Sequence, residues 1–179
     1  MKREYIKDVF TDLDTLKYNG IWFSGKEGEG VFKTWHDNGQ LAKHDFWKNG
    51  KRNGIYKEYF EDGKLYQYID YKNGNVDGKF KRWYDNGQLR RDFNYENDKL
   101  NGVQKEYFNN GKLEVISNYK NGKIDGEWKE LRLNGQIYKH YFYRNGKEHG
   151  ECKLWDMSGI LFRHRLYKDG IIEKEYPVK

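Results

Sequence analysis

The 179 residues fit one domain, yet only 36% are apolar, 35% are charged and mean hydropathy is −1.19, so no stretch spans a bilayer. Aromatic residues at 18% argue against the disorder that such polarity often signals. The net charge of +6 permits anionic partners without naming one, and the single cysteine, Cys152, excludes a disulfide framework or a Cys-based zinc site.

Residues 1–29 read as an N-terminal cap with a degenerate repeat. Met1 to Asp8 holds no apolar run of signal-peptide length, so a cytoplasmic, reducing setting is expected. Asp12-Leu13-Asp14-Thr15-Leu16 parallels Asp37-Asn38-Gly39-Gln40-Leu41, and Ile21 to Lys26 parallels Phe46 to Lys51. Helix is expected only as short pieces near this end. The glycine-rich run Gly25 to Gly30 lacks a following helix and a Gly-Lys-Ser/Thr end, and it carries two carboxylates, Glu27 and Glu29. It reads as a junction loop rather than a phosphate loop.

Residues 30–173 read as six tandem units of 24 residues. Gly30, Gly54, Gly78, Gly102, Gly126 and Gly150 open them, and Gly39, Gly63, Gly87, Gly111, Gly135 and Gly159 follow at the tenth position. A third series holds Gly50, Gly74, Gly122, Gly146 and Gly170, with Asp98 as its exception. The fourth position is always lysine: Lys33, Lys57, Lys81, Lys105, Lys129, Lys153. The sixth is Trp35, Tyr59, Trp83, Tyr107, Leu131, Trp155; the twelfth is Leu or Ile; the eighteenth is Trp47, Tyr71, Tyr95, Tyr119, Tyr143, Tyr167.

Asn-Gly and Asp-Gly pairs bracket runs too short for stable helices, so each unit is predicted to be two short strands, and the chain all-β. A three-residue hairpin loop with a bulge would set the sixth-position aromatic across from the twelfth-position Leu. The eighteenth-position aromatic is expected in phase with both, giving one apolar stripe along the array. Twelve strands at ~4.8 Å each make an array of about 60 Å. Residues 174–179 form a tail in which Pro177 and neighbouring charges blunt the last edge strand.

Trp47 to Gly54 and Tyr143 to Gly150 resemble the Y-x-x-G-K-x-x-G kernel of MORN repeats. The 24-residue step and the D-N-G-x-L segment are closer to the variant MORN repeat common in bacterial proteins, some of them labelled antitoxin-like. The resemblance implies an elongated single-layer antiparallel meander of stacked hairpins that serves as an interaction scaffold. Activities in that family come from appended domains.

Residue chemistry agrees with a non-enzymatic reading. Ser24, Ser117 and Ser158 sit in no nucleophile elbow, and Cys152 takes a third-position slot where a packed thiol is expected. His44, His140 and His164 share the fifteenth position, but equivalent positions lie about 10 Å apart, too far to share one ion. No metal or cofactor is expected, and no small-molecule substrate. The lysine file and the sixth-position aromatics Trp35, Tyr59, Trp83, Tyr107 and Trp155 are the candidate binding residues. The expected partner is a protein bound through one sheet face; electrostatic attachment to anionic lipid or nucleic acid along the lysines is the alternative. The bland account of the lysines is a stem lying on the adjacent aromatic.

Overall fold

The computed structural model describes residues 16–18, 21–24 and 28–178, with side chains from residue 28 onward. The chain divides into two compact units, residues 1–87 and 88–179, with the boundary at the hairpin turn of the third repeat. The first contains β1 (Leu16–Tyr18), β2 (Ile21–Ser24), β3 (Gly30–Trp35), β4 (Leu41–Lys48), β5 (Lys51–Arg52), β6 (Gly54–Tyr59), β7 (Leu65–Lys72) and β8 (Asn75–Trp83). The second contains β9 (Leu89–Glu96), β10 (Lys99–Leu100), β11 (Gly102–Tyr107), β12 (Leu113–Lys120), β13 (Lys123–Leu131), β14 (Ile137–Arg144), β15 (Lys147–Trp155), β16 (Leu161–Lys168) and β17 (Ile171–Tyr176). Within each unit every strand pairs antiparallel with its neighbours in sequence, a single-layer meander; β5 and β10 are short lead-ins to β6 and β11. No helix occurs among the described residues, and the helical pieces expected near the N-terminus fall outside them.

Two turn chemistries set this register. At the hairpin turn, the His36 amide donates to the Gln40 carbonyl and the Gly39 amide donates back to the His36 carbonyl, while Gly39 takes φ +84°. That is the expected three-residue loop with a glycine bulge. It recurs at Phe60–Lys64, Phe108–Lys112, Arg132–Gln136 and Asp156–Ile160. At the junction between repeats the loop has two residues, both left-handed: Asn49 and Gly50 at φ +50° and +68°, Asn121 and Gly122 at +52° and +79°. Such a turn demands positive φ twice, which Asn and Gly tolerate. Asp98 adopts φ +62° in the same place, after Asn97 at +48°.

The opening glycines have a different reason. Gly78 sits at φ +121°, and a Cβ there would lie 2.8 Å from the Asp70 Cβ; at Gly150 it would lie 3.1 Å from that of Phe142. At Gly78 the neighbouring strand leaves no room for a side chain and at Gly150 the neighbour would have to give way, whereas Gly102 has open space and only its φ of +78° favours glycine.

Trp35 pairs with Leu41, Tyr59 with Leu65, Tyr107 with Leu113, and Trp155 with Leu161, as the loop predicts. The single stripe does not follow. Thr34 pairs with Lys43 while Trp35 pairs with Leu41, so Ala42 is an extra residue. That one-residue bulge reverses the phase: Lys43, Asp45 and Trp47 share the face of Thr34, opposite to Trp35 and Leu41. The eighteenth-position aromatics therefore lie on the other side of the sheet from the sixth-position ones.

The N-terminal alignment also shifts. Trp22 pairs with Lys33, which puts it level with the fifteenth position rather than the eighteenth, and Tyr18 pairs with Ile21 across Asn19-Gly20. The stretch from Trp22 to Gly30 is two residues shorter than its equivalent from His44 to Gly54.

One face does the packing. Nine described residues are buried. Eight occupy the third, fifth, fourteenth or sixteenth positions: Tyr56, Gln104, Cys152, Leu154, Gln67, Asp45, Ile69 and Ser117. The ninth is the bulge residue Ala42. In the first unit Arg52 binds Asp45 at 2.7 Å and lies 5.0 Å from the Tyr56 ring and 5.3 Å from that of Tyr71. In the second unit Trp128 meets Tyr141 edge to face at 5.6 Å, and Tyr141 stacks on Tyr143 at 6.0 Å. Cys152 packs beside them at 1% exposure, and burial raises its thiol pKa. The packed thiol expected of this position is what the structure contains.

Candidate functional site

The opposite face, called open here, displays the second, fourth, sixth, twelfth, fifteenth and seventeenth positions. Strand alternation puts the lysine column and the sixth-position aromatics on it together. All six lysines and Trp35, Tyr59, Trp83, Tyr107 and Trp155 are half-buried. Within each unit, lysines on successive repeats stand two strands apart, ~9.6 Å at ordinary strand spacing.

Between them runs the fifteenth position, so that a single row crosses the strands. In the first unit successive Cα partners read Trp22, Lys33, His44, Lys57, Tyr68, Lys81. In the second they read Asp92, Lys105, Ile116, Lys129, His140, Lys153, His164, Tyr176. The same two columns make both rows, but their charges are arranged differently.

In the last two repeats of the second unit the second-position residue is an acid, Glu127 or Glu151, while in the repeat before them it is Val103. Lys129 Nζ reaches Glu127 at 2.7 Å, and the ring of His140 meets the same carboxylate at 2.9 Å. Glu151 binds Lys153 and stands 3.4 Å from His164. The hydrogen bond from Lys129, with His140 adding to it, holds the Glu127 carboxyl below its ordinary range, and Lys153 with His164 does the same for Glu151. Lys129 and Lys153 thus engage carboxylates rather than only resting on aromatic rings.

In the first unit the second-position residues of the first two repeats are Val31 and Ile55. His44 stands between Lys33 on β3 and Lys57 on β6, its ring 4.7 Å from that of Phe46. Burial first, then the two lysines, push its pKa below the ordinary histidine value, while Asp45 pulls weakly the other way. Asp70 brings a carboxylate to this face, but it accepts the Tyr68 hydroxyl at 2.7 Å and the Lys79 amide at 2.8 Å. That first bond lifts the Tyr68 phenol to about 12.

The sequence singles out the lysine column and the aromatics, but in it the fifteenth position reads as a tolerant strand site, and Glu127 and Glu151 go unmarked. The available signal is the second column itself, which changes from Val31 and Ile55 to Glu127 and Glu151 along the chain. Among the described residues no group of three or more His, Cys, Asp or Glu side chains could hold a metal ion.

Four segments match the family model of the MORN repeat variant, residues 28–49, 52–73, 76–97 and 100–121. No curated protein matches the chain. The matched copies keep the 24-residue step seen in the strands. β13 to β16, beyond them, repeat the same pairing, bulge included. Repeats of this kind typically act as scaffold or binding elements and are generally non-catalytic. With four tandem copies in register across residues 28–121, the chain belongs to the MORN-repeat proteins.

Proposed function

We propose that the protein is a non-enzymatic binding scaffold that takes a protein partner on the open face of its repeats. The observation that carries this is the division of burial: eight of the nine buried residues lie on the packed face and none on the open one. Side chains that already cover one another have little left to offer a partner. Half-buried lysines beside half-buried aromatics offer both charge and contact area.

Spacing favours a protein over a nucleic acid. Carboxylates on one face of a helix recur at seven residues, ~10.5 Å, and those on one face of a polyproline II segment at three residues, ~9.3 Å. Either matches a lysine step of ~9.6 Å, whereas a duplex strand presents a phosphate every ~3.4 Å of its axis. The lysine file keeps anionic lipid or nucleic acid as the second reading. An antitoxin-like role is the narrower form of the first, in which the partner is a toxin silenced by the sheet; it predicts a toxic reading frame beside this one.

The test is binding of a glutamate-rich helical peptide, a duplex DNA dodecamer and phosphatidylserine vesicles, each from low to moderate salt. The peptide is expected to bind best, and Lys57→Glu or Tyr59→Ala to weaken it without changing the unfolding midpoint. Preference for DNA or vesicles would transfer the face to the second reading. Indifference to both open-face changes would contradict the assignment of the face.

A further inference from the structure

The two rows of the open face are not equivalent, and the difference deepens the reading above, on which it rests. We propose that Lys33, His44 and Lys57 form the docking site for an acidic segment of the partner protein, and that the site tightens on acidification as His44 takes up a proton.

The three groups are direct cross-strand neighbours on β3, β4 and β6. Cross-strand pairs on one face hold their Cβ atoms ~5 Å apart, so three nitrogen-bearing side chains converge on a patch that one or two carboxylates would cover. The groups facing His44 are Lys33 from β3 and Lys57 from β6, with Phe46 beside it on its own strand. Asp45 projects to the packed face, where Arg52 holds it. Among the described residues neither ring nitrogen of His44 makes a hydrogen bond and Lys57 makes no ion pair. Their second-unit counterparts His140 and Lys129 share Glu127.

At neutral pH His44 is uncharged, held so by burial and by the two lysines. A bound carboxylate reverses the balance, because it favours the imidazolium that the lysines disfavour. Binding therefore takes up a proton, and affinity must rise as pH falls through the histidine range. Protonation of the partner carboxylates, which neighbouring like charges shift upward from ~4.3, weakens binding as pH falls. A rise in affinity toward lower pH therefore belongs to the protein.

The experiment titrates the intact chain with a labelled twelve-residue oligoglutamate at pH 7.5 and 5.5. A DNA dodecamer and phosphatidylserine vesicles run as separate arms. Affinity for oligoglutamate should rise about fivefold at the lower pH, the worth of one added unit charge at ~4 Å in a water-like dielectric. His44→Gln should abolish that rise, leaving binding the same at the two pH values. His44→Tyr, which borrows the residue found at Tyr68, provides a second variant should the first not fold. Lys57→Gln should weaken binding at both pH values, and by more than Lys129→Gln does. A pH-independent wild type, or a rise that survives both His44 variants, overturns the inference. So does an equal loss at Lys57 and Lys129, which leaves the open-face reading intact. Binding that no lysine substitution on this face alters defeats that reading as well. Tighter binding to DNA or vesicles than to oligoglutamate overturns the assignment of an acidic protein.

Discussion

Across the open face of the first unit the row reads Lys33, His44, Lys57, Tyr68, Lys81, while in the second it alternates Lys105, Lys129 and Lys153 with Ile116, His140 and His164. Histidine fills the same column in both, to opposite effect. His140 and His164 share Glu127 and Glu151 with neighbouring lysines, so the last two repeats satisfy their own charges, while Lys105 has Val103 at the second position of its repeat. His44 has lysines on both sides and is driven neutral. The packed face varies in residue type as well, its sixteenth position running from Asp45 to Ile69 to Ser117, but there the side chains cover one another. In this repeat, burial belongs to one face and accessible charge to the other.

The sharpest way to break that division is to cut into each face in turn. Ile69, 5% exposed, and Leu154, 7% exposed, lie on the packed face of the first and second units. Truncating either to Ala should cost ~2–4 kcal/mol, toward the lower end because a single layer relaxes easily. Lys57→Ala and Lys129→Ala should stay within ~0.5 kcal/mol, as surface changes do. Urea denaturation midpoints check all four, and comparable losses on the two faces would dissolve the distinction.

Next in size is a charge exchange between the rows. Ile55 is 38% exposed and can accept a polar replacement. Ile55→Glu would place an acid beside Lys57 as Glu151 stands beside Lys153, and should lower oligoglutamate affinity about tenfold at low salt, given one repulsive charge and one neutralised lysine. Glu151→Ile should raise the affinity of the second row, measured in the background of Lys57→Gln. If neither substitution moves binding, the second column does not set the contrast.

Smaller effects belong to the turns. Asp98 occupies a left-handed position where five other junctions have glycine. Relief of that strain, ~1–2 kcal/mol for an ordinary L-residue and less for Asp, opposes an unfolded-chain entropy loss of ~0.4–1 kcal/mol. Asp98→Gly is therefore expected to be neutral to mildly stabilising, and Gly122→Asp, at φ +79°, destabilising. Gly87→Val, at φ +84° with open space around it, should cost more than either through backbone strain alone. A lower thermal midpoint for Asp98→Gly with no change for Gly122→Asp would show that the junctions do not need left-handed residues.

The smallest effect is a difference in acid sensitivity. Glu127 and Glu151 are held below the ordinary carboxylate pKa by their lysine and histidine partners. Carboxylates depressed in this way contribute stability above their unfolded value, and it is lost as pH falls through the folded one. Their partial exposure keeps the contribution small. Glu127→Gln should flatten the decline in unfolding free energy below about pH 4.5, most visibly at low salt. An unchanged pH profile would mean that these pairs contribute nothing.

Much of this architecture is legible in the amino-acid sequence. The glycine grid, the Asn-Gly junctions and the pairing of sixth with twelfth positions follow from turn chemistry, which is local. The phase of Trp47 is not legible there, because parity counting makes positions twelve and eighteen coplanar and only the bulge at Ala42 reverses them. The register of Trp22 is hidden as well. The stretch from Trp22 to Gly30 is two residues shorter than that from His44 to Gly54, a length change that sequence similarity between segments does not register. The lysine column is conspicuous, but its charge state depends on residues two positions earlier and on neighbouring strands. Glu127 and Glu151 look like ordinary variation until strand pairing sets the rows side by side.

The most direct measurement of the central claim is a chemical-shift map of the amides and the histidine rings during titration with oligoglutamate at pH 6. The expected perturbations centre on Lys33, His44 and Lys57, with a His44 pKa that rises on binding. Tyr56, Ile69 and the row from Lys129 to His164 should stay nearly unmoved. Perturbations centred on the packed face, or on the second row with His44 unchanged, would contradict it.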